Sequence, residues 1–186
     1  VYVTGYFTGY CAFLSQTTTT LSNLFLTANN NYDIFLVKYF ANGIIDWVRQ
    51  GGGGGYDYGY DVTVDDSANA YIVGWYQGGA TFADPNNAAN SITLNNTSGT
   101  WYNGYVVKYN KAGVPKWALN CPSGSMYGYA YAIGGDGYGH LFITGYYYSQ
   151  ATFGSITFTA PSRTYGSFIT KLNTNGVFAW AKIIQS

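Results

Sequence analysis

The feature that most constrains this chain is that it repeats itself. Three stretches align: YDIFLVKYFANGIIDWVRQ at 32–50, NGYVVKYNKAGVPKWALN at 103–120 and GSFITKLNTNGVFAWAKI at 166–183. Lys38, Lys108 and Lys171 fall at one position, Gly43, Gly113 and Gly176 at a second, and Trp47, Trp117 and Trp180 at a third, with offsets of 70 and 63 each time. A second set precedes them: VYVTGYF at 1–7, AYIVGWY at 70–76 and LFITGYY at 141–147. Between the two sets lie the triplets Leu24-Phe25-Leu26, Ile92-Thr93-Leu94 and Ile156-Thr157-Phe158. A fourth piece, YDYGYDVTVDD at 56–66 against MYGYAYAIGGD at 126–136, occurs only twice. Self-similarity at a period of this size restricts the fold to stacked units, each burying the hydrophobic face of its neighbour.

The units read as strands. Residues 56–65 alternate, with Tyr56, Tyr58, Tyr60, Val62 and Val64 on one face and Asp57, Gly59, Asp61, Thr63 and Asp65 on the other. In the third copy Tyr127, Tyr129, Tyr131 and Ile133 keep the apolar face, while Gly128, Ala130, Ala132 and Gly134 leave room for a close neighbour. Segments 34–39 and 105–109 are apolar on both faces, as central strands are. The turn glycines Gly43, Gly113 and Gly176 supply the positive φ that folds each central strand back into the Trp strand. One unit is therefore four strands, at 56–65, 70–76, 104–110 and 115–120, with a short extra hairpin between the second and third. The predicted fold is all-β: a single array over 1–186 of tandem four-stranded antiparallel propeller-like blades, three repeats in an incomplete or open array. Repeat 1 covers 1–51 and lacks the first strand, repeat 2 covers 56–121 and repeat 3 covers 126–186. The run Gly51–Gly55 reads as a flexible linker between units.

The pattern GYD-x-x-VD-x-x-x-N-x-Y-x-x-G, carried by Gly59, Tyr60, Asp61, Val64, Asp65, Asn69, Tyr71 and Gly74, is followed by VKYN-x-x-G-x-x-x-W on Val107 to Asn110, Gly113 and Trp117. It resembles the SBBP-type β-propeller repeat of bacterial secreted and surface proteins. The resemblance implies a propeller-like fold and an extracellular or cell-surface setting, and it implies no particular reaction.

Composition narrows the function. Eight basic and eight acidic residues give zero net charge, and only 9% of the chain is charged. That excludes the basic footprint of a nucleic-acid binder. No apolar run reaches the roughly 18 residues of a membrane helix. All eight acids are Asp. Asp57, Asp61 and Asp65 share a strand face, but neighbours four apart are separated by about 13 Å, and inverting glycosidases need about 6.5–9.5 Å; a solvated face is expected. His140 is the only histidine, and it reads as an exposed turn residue with no counterpart in the second copy. Cys11 and Cys121 suit no zinc site; one bridge or two unpaired thiols both fit. No cofactor or metal is expected. Asn95 and Asn96 head overlapping Asn-x-Ser/Thr sequons, and Ser67 lies in an Asp-Ser-small motif, which makes all three candidate glycan sites. Aromatic residues make up 20% of the chain; they suit blade packing, contact between chains through Tyr-rich surfaces and strand edges, or stacking on sugars. The expected function is that of a non-enzymatic extracellular structural or adhesive protein that self-associates, in filaments for instance, with a carbohydrate-binding module or part of a larger secreted protein as alternatives.

Overall fold

The structure is a computed structural model, and it describes residues 1–14, 24–96, 101–159 and 164–185. Blade two is the sheet β4 (Asp57–Val64), β5 (Ala70–Gln77), β8 (Tyr102–Tyr109) and β9 (Pro115–Asn120). Blade three is β10 (Gly128–Gly135), β11 (His140–Tyr148), β14 (Tyr165–Asn173) and β15 (Phe178–Gln185). Blade one contributes β1 (Tyr2–Phe13), β2 (Leu24–Tyr39) and β3 (Ile45–Gly52). Every pairing within these sheets is antiparallel. The matching register of the Lys and Trp positions, Lys38 opposite Trp47, Lys108 opposite Trp117 and Lys171 opposite Trp180, shows that the sequence repeat is a structural one.

The extra hairpins do not stay with their own repeat. β6 (Gly79–Phe82) and β7 (Ile92–Asn95) belong by sequence to repeat 2, yet β6 pairs with the outer edge of β3, so the first sheet runs β1-β2-β3-β6-β7. The hairpin of β12 (Gln150–Phe153) and β13 (Ile156–Thr159) likewise reaches the end of blade two through a Ser123–Thr152 bridge. Gly78 (φ +81°) and Ser149 (φ +69°) turn the chain out of its own sheet. Gly9 (φ +64°) holds the same place in repeat 1, where the hairpin stays on β1 and β2, with Phe13 opposite Leu24. The first swapped hairpin thus covers the outer edge of β3, which a sheet otherwise leaves open to pairing, and the second meets the chain just past β9.

The Gly51–Gly55 run is not a loose linker. A Cβ on Gly53 would sit 2.1 Å from the Gly79 carbonyl oxygen, and one on Gly55 would sit 2.3 Å from that of Gln77. The run is rich in glycine because backbone passes against backbone there.

The core lies between blades rather than inside them. One cluster joins blades one and two through Ile34, Leu36, Trp47, Ile72, Phe82 and Tyr105. The other joins blades two and three through Tyr71, Val106, Ile143, Tyr147, Phe153 and Phe168. Each such side chain contributes about 1.5–3 kcal/mol when fully buried, and that energy holds blade to blade.

The alternation at 56–65 has its faces the other way round from the expectation. Asp57 and Gly59 are buried, whereas Tyr60 and Val64 are exposed. A bulge between Gly59 and Asp61 breaks the period. The small face turns toward blade one, where a Cβ on Gly59 would lie 2.6 Å from Thr4 Oγ1, so bulk is tolerated only on the tyrosine side. The same bulge falls between Ala130 and Ala132.

Candidate interaction surfaces

Adjacent blades are locked by a repeated clamp. Lys38 Nζ and Trp47 Nε1 both donate to the Lys111 carbonyl, at 3.0 and 3.1 Å. One repeat on, Lys108 Nζ and Trp117 Nε1 both donate to the Thr174 carbonyl, at 2.9 and 3.2 Å. An aromatic ring on the neighbouring strand completes each clamp: Tyr2 lies under Lys38 and against Trp47, and Tyr71 lies under Lys108 and against Trp117. The gripped carbonyl always follows the first residue of the turn, whose closing bond runs from Gly113 N–H to the Asn110 carbonyl or from Gly176 N–H to the Asn173 carbonyl. Arg49 extends the first clamp, donating from Nε to the Gly113 carbonyl at 2.6 Å and from Nη2 to that of Ala112 at 3.0 Å. Lys171, Trp180 and Phe142 form the third set, with the Lys171 ammonium 5.6 Å from the Phe142 ring and the Phe142 and Trp180 rings 6.1 Å apart. Trp47 is buried, and Trp117 and Trp180 are half-buried.

A second feature crosses all three blades. Tyr58 packs on Tyr6 of blade one and on Trp75 of its own blade, both at 4.4 Å between ring centres. Trp75 reaches Tyr102 and Tyr129, Tyr60 meets Tyr131 at 5.0 Å, and Tyr131 meets Tyr146. Tyr127, Tyr148 and Tyr165 continue the belt. Tyr6, Tyr60, Tyr131, Tyr146 and Tyr165 are exposed, so the belt both joins blades and presents rings to solvent. Contacts of this geometry add about 0.5–1.5 kcal/mol each beyond area burial.

The three aspartates of the first strand in blade two are all engaged, contrary to the solvated face expected of them. Asp61 Oδ2 accepts from Ile133 N–H in blade three at 2.8 Å, and Asp65 closes its turn by accepting from Ser67 N–H, Asn69 N–H and the Tyr71 hydroxyl. Burial works to raise the Asp65 carboxyl, but these bonds outweigh it and hold the group below its usual range. Asp57 is fully buried and is pushed up to about 7, chiefly by desolvation and also by the Asp33 carboxyl, against the bonds it accepts from Gly53 and Gln77 N–H. A Cβ on Gly52 would meet Asp33 Oδ1 at 2.6 Å and Asp57 Oδ2 at 3.0 Å, which brings the two acids together across the junction of blades one and two. Asp33 is also raised by burial, and its Oδ1 has no hydrogen-bond partner among the described residues. A cavity of about 540 Å³ beside it is lined by Leu24, Leu26, Asp33, Gln50 and Pro85. No sequence signal marks the pair, because its members lie in different repeats and approach only through the close passage at Gly52. Asp33 and Asp57 are 1% and 0% exposed, and burial is the main reason both carboxyls are raised.

His140 does have a counterpart, contrary to expectation. Its Nδ1 lies 2.7 Å from Asp136 Oδ2 and its N–H bonds Asp136 Oδ1, in the place where Asn69 bonds Asp65. It is a turn-closing residue. Among the candidate glycan sites, Ser67 and Asn95 are exposed, while Asn96 is half-buried and donates to the Trp101 carbonyl. Thr97 and Ser98, which complete the sequons, lie outside the described residues. Cys11 and Cys121 are free thiols, and burial pushes the Cys121 thiol well up. Among the described residues no group of three or more His, Cys, Asp or Glu could hold a metal ion, and no helix is long and apolar enough to cross a membrane.

The family model described as SBBP, a beta-propeller repeat, matches residues 46–75. The match runs from β3 of blade one through the glycine run to β5 of blade two, so it spans the junction where the two acids and the first swapped hairpin meet. No curated protein matches the chain.

Proposed function

We propose, for a chain built of SBBP-type β-propeller repeats, the role of a non-enzymatic structural protein of the cell exterior that associates with further copies of itself. One observation carries the reading. The first and third blades expose apolar residues of the kinds that pack blade against blade inside the molecule: Val3 and Phe25 on the first, and Tyr146, Ile169 and Ile184 on the third. Exposed apolar side chains of this kind are what an interaction surface presents, and a net charge of zero offers little repulsion against association. Sedimentation velocity over a concentration series, with negative-stain micrographs of the same samples, tests it. Species heavier than the 20.3 kDa chain that grow with concentration are expected; a single monomeric species throughout would overturn the reading.

The exposed belt favours a second reading, an aromatic platform for sugars. Tyr60, Tyr131 and Tyr146 form a continuous exposed ring surface. Retention on immobilised polysaccharide, lost on replacing Tyr131 by Ala, would support it.

A further inference from the structure

Three clamps are built and two turns are gripped. Lys171 Nζ and Trp180 Nε1 stand where Lys38 with Trp47 and Lys108 with Trp117 stand, yet among the described residues neither donates a hydrogen bond. The converse vacancy lies in blade one. The turn Phe40–Gly43 has the geometry of the two gripped turns: Gly43 N–H bonds the Phe40 carbonyl at 3.0 Å, and φ of Gly43 is +82°, against +76° at Gly113 and +83° at Gly176. Its Ala41 carbonyl occupies the place of the Lys111 and Thr174 carbonyls and receives no bond among the described residues. The glycines report the same contrast. A Cβ on Gly113 would meet Trp47 and Arg49 at 2.9 Å, one on Gly176 would meet Leu119 at 3.1 Å and Trp117 at 3.3 Å, and one on Gly43 would meet nothing within 4 Å among the described residues.

We propose that the Lys171–Trp180–Phe142 clamp grips the Phe40–Gly43 turn of a second copy of this chain, with Lys171 and Trp180 donating to its Ala41 carbonyl. The proposal rests on the self-association reading above and specifies its interface. Lys182, at the position of Arg49, stands beside the incoming turn as Arg49 stands beside Gly113. Exposed Ile169, Val177 and Ile184 of blade three lie on the face that an incoming blade would cover. The occupant is a copy rather than an unrelated partner because the empty clamp and the ungripped turn repeat, residue for residue, the halves of a contact the molecule already makes twice. Two different surfaces meet, so the contact is head-to-tail, and it continues into a ring or a filament.

The test uses two variants. Lys171→Met with Trp180→Phe keeps the apolar packing and removes both donors. Gly43→Asn strains the free molecule less than other substitutions would, since Asn is among the side chains that most readily take positive φ and nothing described lies within 4 Å, but it puts a side chain where the clamp must close. The melting curve of the first should match that of the wild type measured as dilute monomer, and that of the second should fall only slightly below it. Neither variant alone should assemble as the wild type does: the first loses two hydrogen bonds, which weakens association about thirtyfold or more, and the second meets a side chain in the closing clamp. An equimolar mixture should form dimers and nothing larger, because each dimer uses one intact clamp and one intact turn. If both variants assemble as the wild type does, this interface is wrong and self-association stands. If the wild type is monomeric at every concentration, the functional reading fails and this proposal with it. Single variants that fail to assemble but do not rescue one another in the mixture also overturn it.

Discussion

Asp57 carries a protonation equilibrium inside the fold. Its carboxyl, near 3.8 in the unfolded chain, titrates at about 7 when folded, because burial penalises the anion more than the Gly53 and Gln77 N–H bonds favour it. Between those values the folded state holds a proton that the unfolded state has lost, so stability falls as pH rises from about 4 to about 7. The full effect is of order 4 kcal/mol, from roughly three pKa units at about 1.4 kcal/mol each. Urea titrations at pH 4.5 and pH 8 should show it, and Asp57→Asn should flatten the difference and raise stability at pH 8. A wild-type protein equally stable at both values would remove the coupling. At Gly74 the constraint is steric: a Cβ there would lie 1.8 Å from the Tyr58 carbonyl oxygen, with the Tyr105 ring 2.9 Å away. Gly74→Ala should therefore cost several kcal/mol, by overpacking of about 1–3 kcal/mol plus the displaced strand, and thermal melting reads it directly.

At the scale of elements, the swapped hairpins hold the junctions closed. Phe82 of β6 is fully buried and packs on the Tyr105 ring at 5.1 Å, and its counterpart Phe153 of β12 packs on Phe168 at 4.9 Å. Phe82→Ala should cost about 3–5 kcal/mol, as truncations of buried aromatics do, and should expose the edge of β3, visible as faster amide exchange at Arg49 to Gly51. A loss confined to β6 and β7 would mean that the hairpin only decorates the sheet. The sequence announced the strands and turns because period-2 alternation and Asn-Gly or Ala-Gly tips are local signals, and the Lys, Gly and Trp repeats set their order. It could not announce that β6 leaves its own repeat, since the pivot is a single positive-φ residue, Gly78 or Ser149, and the acceptor strand lies some 30 residues back in the chain. The inverted faces of β4 have a similar origin. Polarity alone assigns Asp57 to solvent, whereas the space beside Gly59 and the donors at Gly53 and Gln77 place it inside. The clamps were legible as recurring Lys and Trp residues, but their partners are backbone carbonyls, which carry no residue signature.

The whole molecule is a one-dimensional stack, in which stability is the sum of each blade and its contacts with neighbours. The three equivalent tryptophans then have unequal weights despite equal chemistry. Trp47 and Trp117 each donate to a carbonyl of the next blade, while Trp180 donates to nothing among the described residues. Replacement by Phe keeps most of the apolar surface and removes the indole N–H. In dilute monomer, Trp47→Phe and Trp117→Phe should each cost about 1–2 kcal/mol, one hydrogen bond plus a small packing loss. Trp180→Phe should stay within about 0.5 kcal/mol, as surface substitutions do. At higher concentration the ranking should change. Bound copies stabilise the folded state by mass action, so the wild-type melting temperature should rise with concentration, and Trp180→Phe should shift that rise to about fivefold higher concentration while Trp47→Phe keeps it at a lower baseline. Chemical denaturation of the dilute variants, followed by melts over a hundredfold range of concentration, separates the two effects. If Trp180→Phe costs as much as Trp47→Phe in the dilute monomer, the third clamp serves its own blade and not a neighbour.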